Sequence, residues 1–234
     1  MASSARPIRA VFFSANVHGQ APIEHGEEFL AMCRGIALGA HREQLEATSR
    51  PASSRAEIIA DLRALQPEIV HLSCHGHADG MALRDDYGAA DPVSASWLAQ
   101  RLQDSAEIKL LIVSACRSDA LIEAVAAAIR PQEVDLIGCR GLIDERDACR
   151  FTECFYRAFA DGGSVGRAFR DACGSLSDDA SGQLVHLGAG AYRVLPSDGQ
   201  RPARGVQHGG IILNGPAQIT IGGDMIAGDK HVKK

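Results

Sequence analysis

Two short apolar segments of the sequence each end in a side chain that can take part in chemistry. The segment that starts at Ile69 leads into His75 and Gly76, and the segment that starts at Lys109 leads into Cys116. Both are β-branched runs too short for a helix, so each is predicted to be a buried strand of a parallel sheet. Because the carboxyl ends of such strands line one crevice, the imidazole and the thiol are expected to meet there as a nucleophile with its base.

The chemistry of a thiol explains why an imidazole and a glycine beside it are informative. A free thiol titrates at about pH 8.5, so a neighbouring imidazole is useful because it can accept the thiol proton at neutral pH. A helix predicted to begin at Ser118 adds the positive end of its dipole, which favours the thiolate of Cys116 further. Gly76 lets a substrate carbonyl approach the backbone, and its amide is expected to form an oxyanion hole with that of Cys116, worth roughly 3 to 4 kcal/mol.

The other reactive side chains of the first segment have structural interpretations. Cys74 is a rival thiol, but neighbouring residues of a strand face opposite sides, so Cys74 is expected in the core if His75 faces the crevice. His71 lies roughly 13 Å from His75 along an extended strand. Since His75 and His77 alone would supply two ligands, the sequence predicts no metal site, and no other cofactor is expected.

Three polar side chains in loops are candidates for contacts with a substrate. Asn16 and His18 follow the first predicted strand, in the loop that overhangs the crevice of doubly wound folds, and His77 follows His75 closely. His77 could also support His75. The alternative is that all three are ordinary polar residues of solvated loops.

The pattern of the whole chain predicts an α/β fold. Apolar runs of strand length alternate with segments of helical period, which implies right-handed crossovers and a doubly wound, mainly parallel sheet with helices on both faces. The Gly- and Asp-rich stretch 77–91 interrupts this alternation and is expected to form a small hairpin beside the site. Strands are predicted at 8–14, 44–48, 69–77, 109–116, 134–138, 184–187 and 191–195, and helices are predicted to begin at Glu24, Ser54, Ser94, Ser118, Asp144 and Ser164.

The composition is that of an ordinary globular protein and argues against several classes of function. Hydrophobic residues make up 46% of the 234 residues and charged residues 23%. The net charge of −5 provides no basic field, so direct binding of nucleic acid is not expected. No apolar run reaches the ~18 residues of a membrane span, and the N-terminus lacks the apolar core of a signal peptide, so a cytoplasmic protein is predicted. Seven cysteines without a Cys-x-x-Cys pair suit reduced thiols.

The composition changes towards the C-terminus. Residues 1–195 are predicted to form one domain, and 196–209 a linker rich in Pro, Gly, Arg and Ser. Residues 210–234 repeat short β-branched pieces between glycines and contain a doubled Gly-Asp, so they are predicted to form a β-rich tail. Such strands cannot bury both faces alone, so we expect the tail to pair with a sensor or regulatory protein, or with other copies of the chain.

The order of these motifs resembles a known group of enzymes. A strand that ends in His75-Gly76, an interval of about 40 residues, and a second strand that ends in Ala115-Cys116 are similar to the caspase-like cysteine peptidases. Within them the chain resembles the CHAT group, which is related to caspases and separases. Caspases carry Gln-Ala-Cys, then Arg, Gln or Gly, and then Gly; this chain departs from that pattern at Ser114 and Ser118. These departures argue against a true caspase and leave the wider group intact.

A second stretch of the chain resembles the same group. Residues 137–141 look like its fifth strand, and the segment from Asp144 to Arg170 looks like a helix with a Phe-Tyr pair, a glycine turn and a second helix. The resemblance covers roughly residues 7–195. It implies a caspase-like fold for this part of the chain.

The resemblance also implies an activity. The chain would be a cysteine endopeptidase that cuts a protein substrate through His75 and Cys116, regulated within bacterial antiphage defence or programmed cell death. In separases an acidic residue after the fifth strand receives a basic side chain; Asp144 matches that place and would direct the cut after Arg or Lys. Its competing role is the N-cap of the following helix. The alternative function is a catalytically silent scaffold recruited through the tail, 210–234.

Overall fold

Strands and helices alternate along most of the chain, as the sequence predicts. The computed structural model describes residues 6–51, 53–77, 80–129, 134–194 and 220–221. Its strands are β1 (Ile8–Ala15), β2 (Leu45–Arg50), β3 (Ile69–His77), β4 (Gly80–Arg84), β5 (Ala90–Val93), β6 (Leu110–Ser114), β7 (Asp135–Cys139), β8 (Leu184–Leu187) and β9 (Thr220–Ile221). Its helices are α1 (His25–Leu38), α2 (Arg55–Leu65), α3 (Ala95–Asp104), α4 (Asp119–Ala128), α5 (Glu145–Ala160), α6 (Val165–Cys173) and α7 (Asp178–Gly182).

The strands pair in a mainly parallel sheet. Its order is β8-β7-β6-β3-β1-β2-β9, and the β4–β5 hairpin branches from the end of β3. In this order each strand from β7 through to β9 is parallel to the next one, and only the edge strand β8 is antiparallel to its neighbour, β7. The predicted fold class, an α/β protein with a doubly wound, mainly parallel sheet, is confirmed, and the expected hairpin is present.

Successive residues of each strand pack against different helices. Val70, Leu72 and Cys74 of β3 belong to an apolar cluster with side chains of α2, α3 and α4. Ile69 belongs to a second cluster on the opposite face, with side chains of α1, α5 and α6. Burying one large apolar side chain stabilises the fold by about 1.5 to 3 kcal/mol. Because the period of a strand is two, His71, Ser73 and His75 share the face covered by α1 and α5.

Helices begin at the polar residues that the sequence predicts as caps. Ser54 forms a capping box with Glu57 at the start of α2, and the side chains of Ser94 and Ser164 accept hydrogen bonds from the first turns of α3 and α6. These bonds satisfy backbone amides that have no partner within the helix. Among the described helices, none combines the length and the apolar character that crossing a membrane requires.

The prediction of a closing strand at 191–195 is wrong. The last of these residues is not described, and the other four form no strand. The backbone amides of Val165 and Gly166 donate hydrogen bonds to the carbonyl oxygens of Tyr192 and Gly190, at 2.8 and 3.0 Å. The segment therefore supplies acceptors to the first turn of α6, whose amides need partners, and this use of its backbone replaces pairing with the sheet.

The C-terminal part of the chain is described only in part. The predicted linker, 196–209, lies outside the described residues, and so does the predicted tail, 210–234, apart from β9. β9 pairs in parallel with the edge strand β2 of the same chain. The sequence predicts that the tail pairs with another protein or with other copies of the chain, and at these two residues the tail instead extends the sheet of its own domain.

Candidate active site

Cys116 lies where the chain leaves β6 and turns towards α4. The next residue, Arg117, has a φ of 56°, a left-handed conformation that is uncommon for a residue with a side chain. Ser118 is fully buried; its hydroxyl donates to the carbonyl oxygen of Val113 at 3.2 Å and accepts from the amide of Cys139 at 2.9 Å. These bonds tie the turn to β6 and β7, so the thiol is held at the carboxyl edge of the sheet.

His75 lies on β3, the neighbour of β6, and is level with the thiol. Ile69 of β3 pairs with Leu110 of β6, and both pack on the face covered by α1 and α5. His75 follows Ile69 by as many residues as Cys116 follows Leu110, and Cys116 lies just beyond Ser114, the last residue of β6. The thiol of Cys116 donates a hydrogen bond to the carbonyl oxygen of Ile143, 3.9 Å from the sulfur and just before α5. The imidazole and the thiol are both half-buried, at the end of β3 and just after the end of its neighbour β6.

Gly76, at the end of β3, packs directly against the backbone of Cys116. A Cβ atom on Gly76 would overlap the carbonyl oxygen of Cys116. The sequence suggests that this glycine admits a substrate carbonyl, and the structure gives a further reason for it. Without a side chain the two backbones can approach each other directly, which brings the two amides predicted for the oxyanion hole into adjoining segments.

The loop between β7 and α5 lies against the thiol. Besides the contact of Ile143 with the sulfur, the amide of Arg117 donates to the carbonyl oxygen of Gly141 at 3.0 Å. Leu142, between these two contacts, is 72% exposed. An exposed apolar side chain beside the candidate nucleophile can contact a substrate, and sequence reasoning missed it. The sequence hints at this exposed side chain only through an apolar pair, Leu142-Ile143, in a loop that is expected to be polar.

Asp144 has the capping role that sequence analysis considers. Its Oδ1 accepts a hydrogen bond from the amide of Asp147 at 2.8 Å, at the start of α5. The side chain is exposed, and Glu145 adds a further carboxylate in the same turn. The second role, binding a basic substrate side chain, stays a prediction.

The three loop residues predicted to contact a substrate have different surroundings. The amide group of Asn16 donates to the carbonyl oxygen of Ile23 at 3.1 Å, and its oxygen accepts from the amide of Ile23 at 2.9 Å. The amide of His18 donates to Gly88 at 2.9 Å, and its ring lies against that glycine in the β4–β5 hairpin. These contacts brace the loop between β1 and α1. The side chain of His77 lies outside what the structure describes.

A buried polar cluster beneath the two candidate residues was missed by sequence analysis. Glu28 of α1 is 4% exposed, and its carboxylate accepts hydrogen bonds from Ser73 at 2.6 Å, His71 at 3.1 Å and Thr152 at 3.2 Å. Burial raises the pKa of a carboxyl group, but hydrogen bonds from His71, Ser73 and Ser114 hold the pKa of Glu28 below its ordinary value. The core therefore contains an ionised carboxylate at neutral pH.

The sequence does contain a signal for this cluster. His71, Ser73 and His75 alternate along a strand that is otherwise apolar, so three polar side chains share one buried face. Glu28 adjoins Phe29 in the buried stripe of α1. A carboxyl group in an apolar helical stripe, opposite polar residues of a buried strand, indicates a satisfied polar network rather than a solvent-exposed charge.

The other thiols near the site are protonated. Cys74 is 2% exposed on the opposite face of β3, as the sequence predicts, and burial raises its pKa to about 12. Burial also raises the pKa of Cys139, and it raises that of Cys149 to about 11. Since the thiolate is the nucleophilic form, these three thiols are poor nucleophiles at neutral pH.

A small cavity lies between the sheet and α5, next to the polar cluster. It measures about 20 Å³, enough for one water molecule, and its polar lining comes from His71, Ser114 and Thr152.

Among the described residues, no group of three or more His, Cys, Asp or Glu side chains is arranged to hold a metal ion. All seven cysteines lie in the described part of the chain and each is a free thiol.

Two solved structures are similar to this one. Caspase-1 from Spodoptera frugiperda superposes with a TM-score of 0.52 at 9% sequence identity, covering 80% of this chain and 90% of that chain. A secreted C11 cysteine protease from Bacteroides thetaiotaomicron, in complex with an irreversible peptide inhibitor, has a TM-score of 0.47 at 9% identity, covering 65% of this chain and 54% of that chain. The likeness to caspase-1 shows that the fold is caspase-like.

The sequence also matches a family model. No curated protein sequence matches the chain. The model of the CHAT domain matches residues 12–204, most of the chain, and this range contains both His75 and Cys116. The match confirms the predicted resemblance to the CHAT group and supports the predicted enzyme class, a cysteine peptidase. This chain belongs to the CHAT domain family.

Proposed function

We propose that this chain is a cysteine endopeptidase in which Cys116 is the nucleophile and His75 the general base. The observation that carries the proposal is the meeting of two strand ends: β3 and β6 are neighbours, and Gly76 packs against the carbonyl group of Cys116. Both side chains are half-buried, which leaves them within reach of a peptide. The CHAT family match supports the same chemistry.

The reaction divides the hydrolysis of an amide into two acyl transfers. The sulfur of Cys116 bonds to the scissile carbonyl carbon while its proton passes to His75, and the amides of Gly76 and Cys116 stabilise the oxyanion. The C–N bond then breaks, and the leaving amine takes the proton from His75. Water attacks the resulting thioester, giving a proton to His75 that returns to the thiol as the carboxylic acid leaves.

Selective alkylation tests the pairing of the two side chains. With iodoacetamide at neutral pH, Cys116 should react about tenfold faster than the other six cysteines, because an adjacent imidazole activates its sulfur. His75→Ala should remove this selectivity. His41→Ala, in the loop between α1 and β2, is the matched control and should label like the wild type. Uniform labelling of accessible cysteines in the wild type would favour a catalytically silent scaffold instead.

We infer a preference for a basic residue before the scissile bond. Asp144 and Glu145 are exposed carboxylates that directly follow Ile143, the residue in contact with the sulfur. Asp144→Asn keeps an acceptor for the helix cap while it removes the charge, so kcat/KM for Arg and Lys peptides should fall about tenfold without loss of stability. A fluorogenic peptide panel that varies this residue measures the effect. Equal cleavage of acidic, apolar and basic peptides by the wild type would contradict the preference.

We propose that the activity is regulated through the tail, 210–234. The resemblance to the CHAT group supports a protein substrate and a setting in bacterial defence or programmed cell death, and seven free thiols suit a reducing cytoplasm. Deleting the tail should abolish co-purification with a sensor protein while cleavage of small peptides persists. Sedimentation of the intact chain tests the alternative partner, a second copy. A deletion variant that still binds its sensor would refute this role of the tail.

A further inference from the structure

His25 begins α1 beside the candidate dyad, and its ring is held in the buried polar cluster. The residue is 9% exposed, and its Nδ1 lies 2.8 Å from the hydroxyl oxygen of Ser73. Ser73 precedes His75 by two residues on the same face of β3, so His25 and His75 lie on one side of the sheet, where a positive charge on His75 lowers the pKa of His25. The bonds between Asn16 and Ile23 fix the loop from which α1 begins.

The hydrogen bonds of Ser73 determine which nitrogen of His25 carries its proton. The ionised carboxylate of Glu28 can only accept, so the hydroxyl of Ser73 donates its one proton to it, at 2.6 Å. The oxygen of Ser73 is then left to accept a hydrogen bond from Nδ1 of His25. Burial lowers the pKa of His25, so at pH 7 the ring is neutral and holds its single proton on Nδ1. Its Nε2 is therefore a bare acceptor.

Two buried ring nitrogens on this side of the sheet lack hydrogen-bond partners. Within the described part of the chain, Nε2 of His25 and Nε2 of His75 are both buried and form no hydrogen bond. Leaving a buried polar atom unpaired costs about 1 to 3 kcal/mol. A bare acceptor on His25 and an N–H donor on His75 can satisfy each other through one bridging water molecule.

We propose that His25 is a positioning residue for the dyad: through one bridging water molecule it accepts the Nε2–H of His75 and so leaves Nδ1 of His75 free to take the proton of Cys116. This inference rests on the proposed function. Glu28, Ser73 and His25 then form a series of hydrogen bonds behind the base, in the place that a carboxylate has in a catalytic triad. When His75 becomes positively charged, the anion at the end of the series stabilises it.

The titratable groups that face His25 come from three elements. Its own helix supplies Glu28, β3 supplies His75, and the first turn of α5 supplies Glu145. Burial and the charge of His75 favour the neutral ring. The backbone carbonyl oxygen of Ala15 and the negative charges of Glu28 and Glu145 favour the protonated ring. Burial is the largest of these influences, so the pKa of His25 is lowered overall and the ring is neutral at pH 7, as the proposal requires.

Alkylation of the full chain across a range of pH tests the proposal. His25→Phe keeps the ring shape but has no acceptor, so Cys116 should react with iodoacetamide about tenfold more slowly at pH 7, with a profile closer to that of a simple thiol. His25→Gln offers an acceptor oxygen and should recover part of the rate. His41→Gln is the matched control and should behave like the wild type. Circular dichroism melts establish that each variant folds.

Nitrogen NMR of histidine-labelled wild type gives a second measurement that needs neither activity nor substitution. The neutral ring of His75 should carry its proton on Nε2; a proton on Nδ1 would overturn the proposal even if His25→Phe fails to fold. A folded His25→Phe that alkylates at the wild-type rate and with the wild-type pH profile would also overturn it. The proposed function fails separately, if labelling of Cys116 does not depend on His75.

Discussion

Gly76 and Arg117 constrain the backbone on either side of the candidate thiol in opposite ways. Gly76 leaves room for the carbonyl group of Cys116, whereas Arg117 adopts a left-handed conformation that costs a residue with a side chain about 1 kcal/mol. The buried hydroxyl of Ser118 holds the strained turn through its bonds to β6 and β7. The position of the sulfur is therefore set by its neighbours in sequence as much as by the sheet.

Gly76→Ala should separate the ends of β3 and β6. The new methyl group would overlap the carbonyl oxygen of Cys116, so we expect a loss of about 1 to 3 kcal/mol in the free energy of unfolding and loss of the selective alkylation of Cys116. Denaturant titration and mass spectrometry measure the two effects. Gly182→Ala is the control, since no atom lies within 4 Å of its added Cβ. If both variants keep selective alkylation, the close approach has no importance for the site.

At the scale of elements, Ser118 connects two strands and the helix that follows them. Ser118→Ala removes the acceptor of the Cys139 amide, which is buried in β7, so the free energy of unfolding should fall by about 1 to 3 kcal/mol. Alkylation of Cys116 should become slower, because the turn that carries the thiol loses its anchor. Ser105→Ala, at the end of α3, is the comparison and should change the free energy of unfolding by less than ~0.5 kcal/mol. Equal stability of the two variants would show that the bridge is unimportant.

The elements that the sequence predicts well are those with local signals. Ser54 and Asp144 identify helix starts because a cap satisfies amides of the next few residues, and apolar runs identify the strands. The positions of His75 and Cys116 follow from these strands. Local patterns do not show where distant backbone is needed, so the segment 191–195 was predicted as a strand, although it serves the first turn of α6.

The buried cluster around Glu28 escaped prediction for a related reason. A glutamate in a helix is ordinarily exposed, and its burial depends on donors from two other elements, Ser73 on β3 and Thr152 on α5. These donors become neighbours only after α1 and α5 pack on the sheet. The proposed link between His75 and His25 is equally inaccessible to sequence analysis, because tertiary packing and not sequence spacing brings α1 onto this face of β3.

At the scale of the whole molecule, one buried charge connects the two helices and the sheet. Glu28→Gln removes this charge but keeps the shape of the side chain, and we expect a loss of about 3 kcal/mol at pH 7, because His71 and the other donors lose an ionised partner. Glu27→Gln, the adjacent exposed residue, is the matched control and should change stability little. Denaturant titration measures both. Equal stability of the two variants would mean that the buried charge contributes nothing.

The same cluster makes stability depend on pH. The pKa of His25 is lowered from 6.5, chiefly by burial, so the unfolded chain binds its proton first and stability should begin to fall as the pH drops below 6.5. The pKa of Glu28 is lowered from 4.5, because its hydrogen bonds outweigh the effect of burial; its contribution is present above pH 4.5 and is lost below it. Thermal melts between pH 8 and pH 3 should show both declines, and Glu28→Gln should lack the second. A melting temperature that rises on acidification would contradict this assignment.

The hairpin that branches from β3 has a consequence for the assembled enzyme. His75 and Gly76 pair with Ala82 and Met81 of β4, beyond the last parallel partners of β3 in the central sheet. Local opening of this hairpin would dismantle the base and would also expose Met81 and Leu83 of β4, which are buried in the apolar cluster with α2, α3 and α4, so a dormant form of the chain would lose part of that packing. Hydrogen exchange of the His75 amide, compared with that of Val70 in the middle of the strand, would report the fraction of molecules in which the hairpin is closed. A partner that binds the hairpin and keeps it closed would act as an activator.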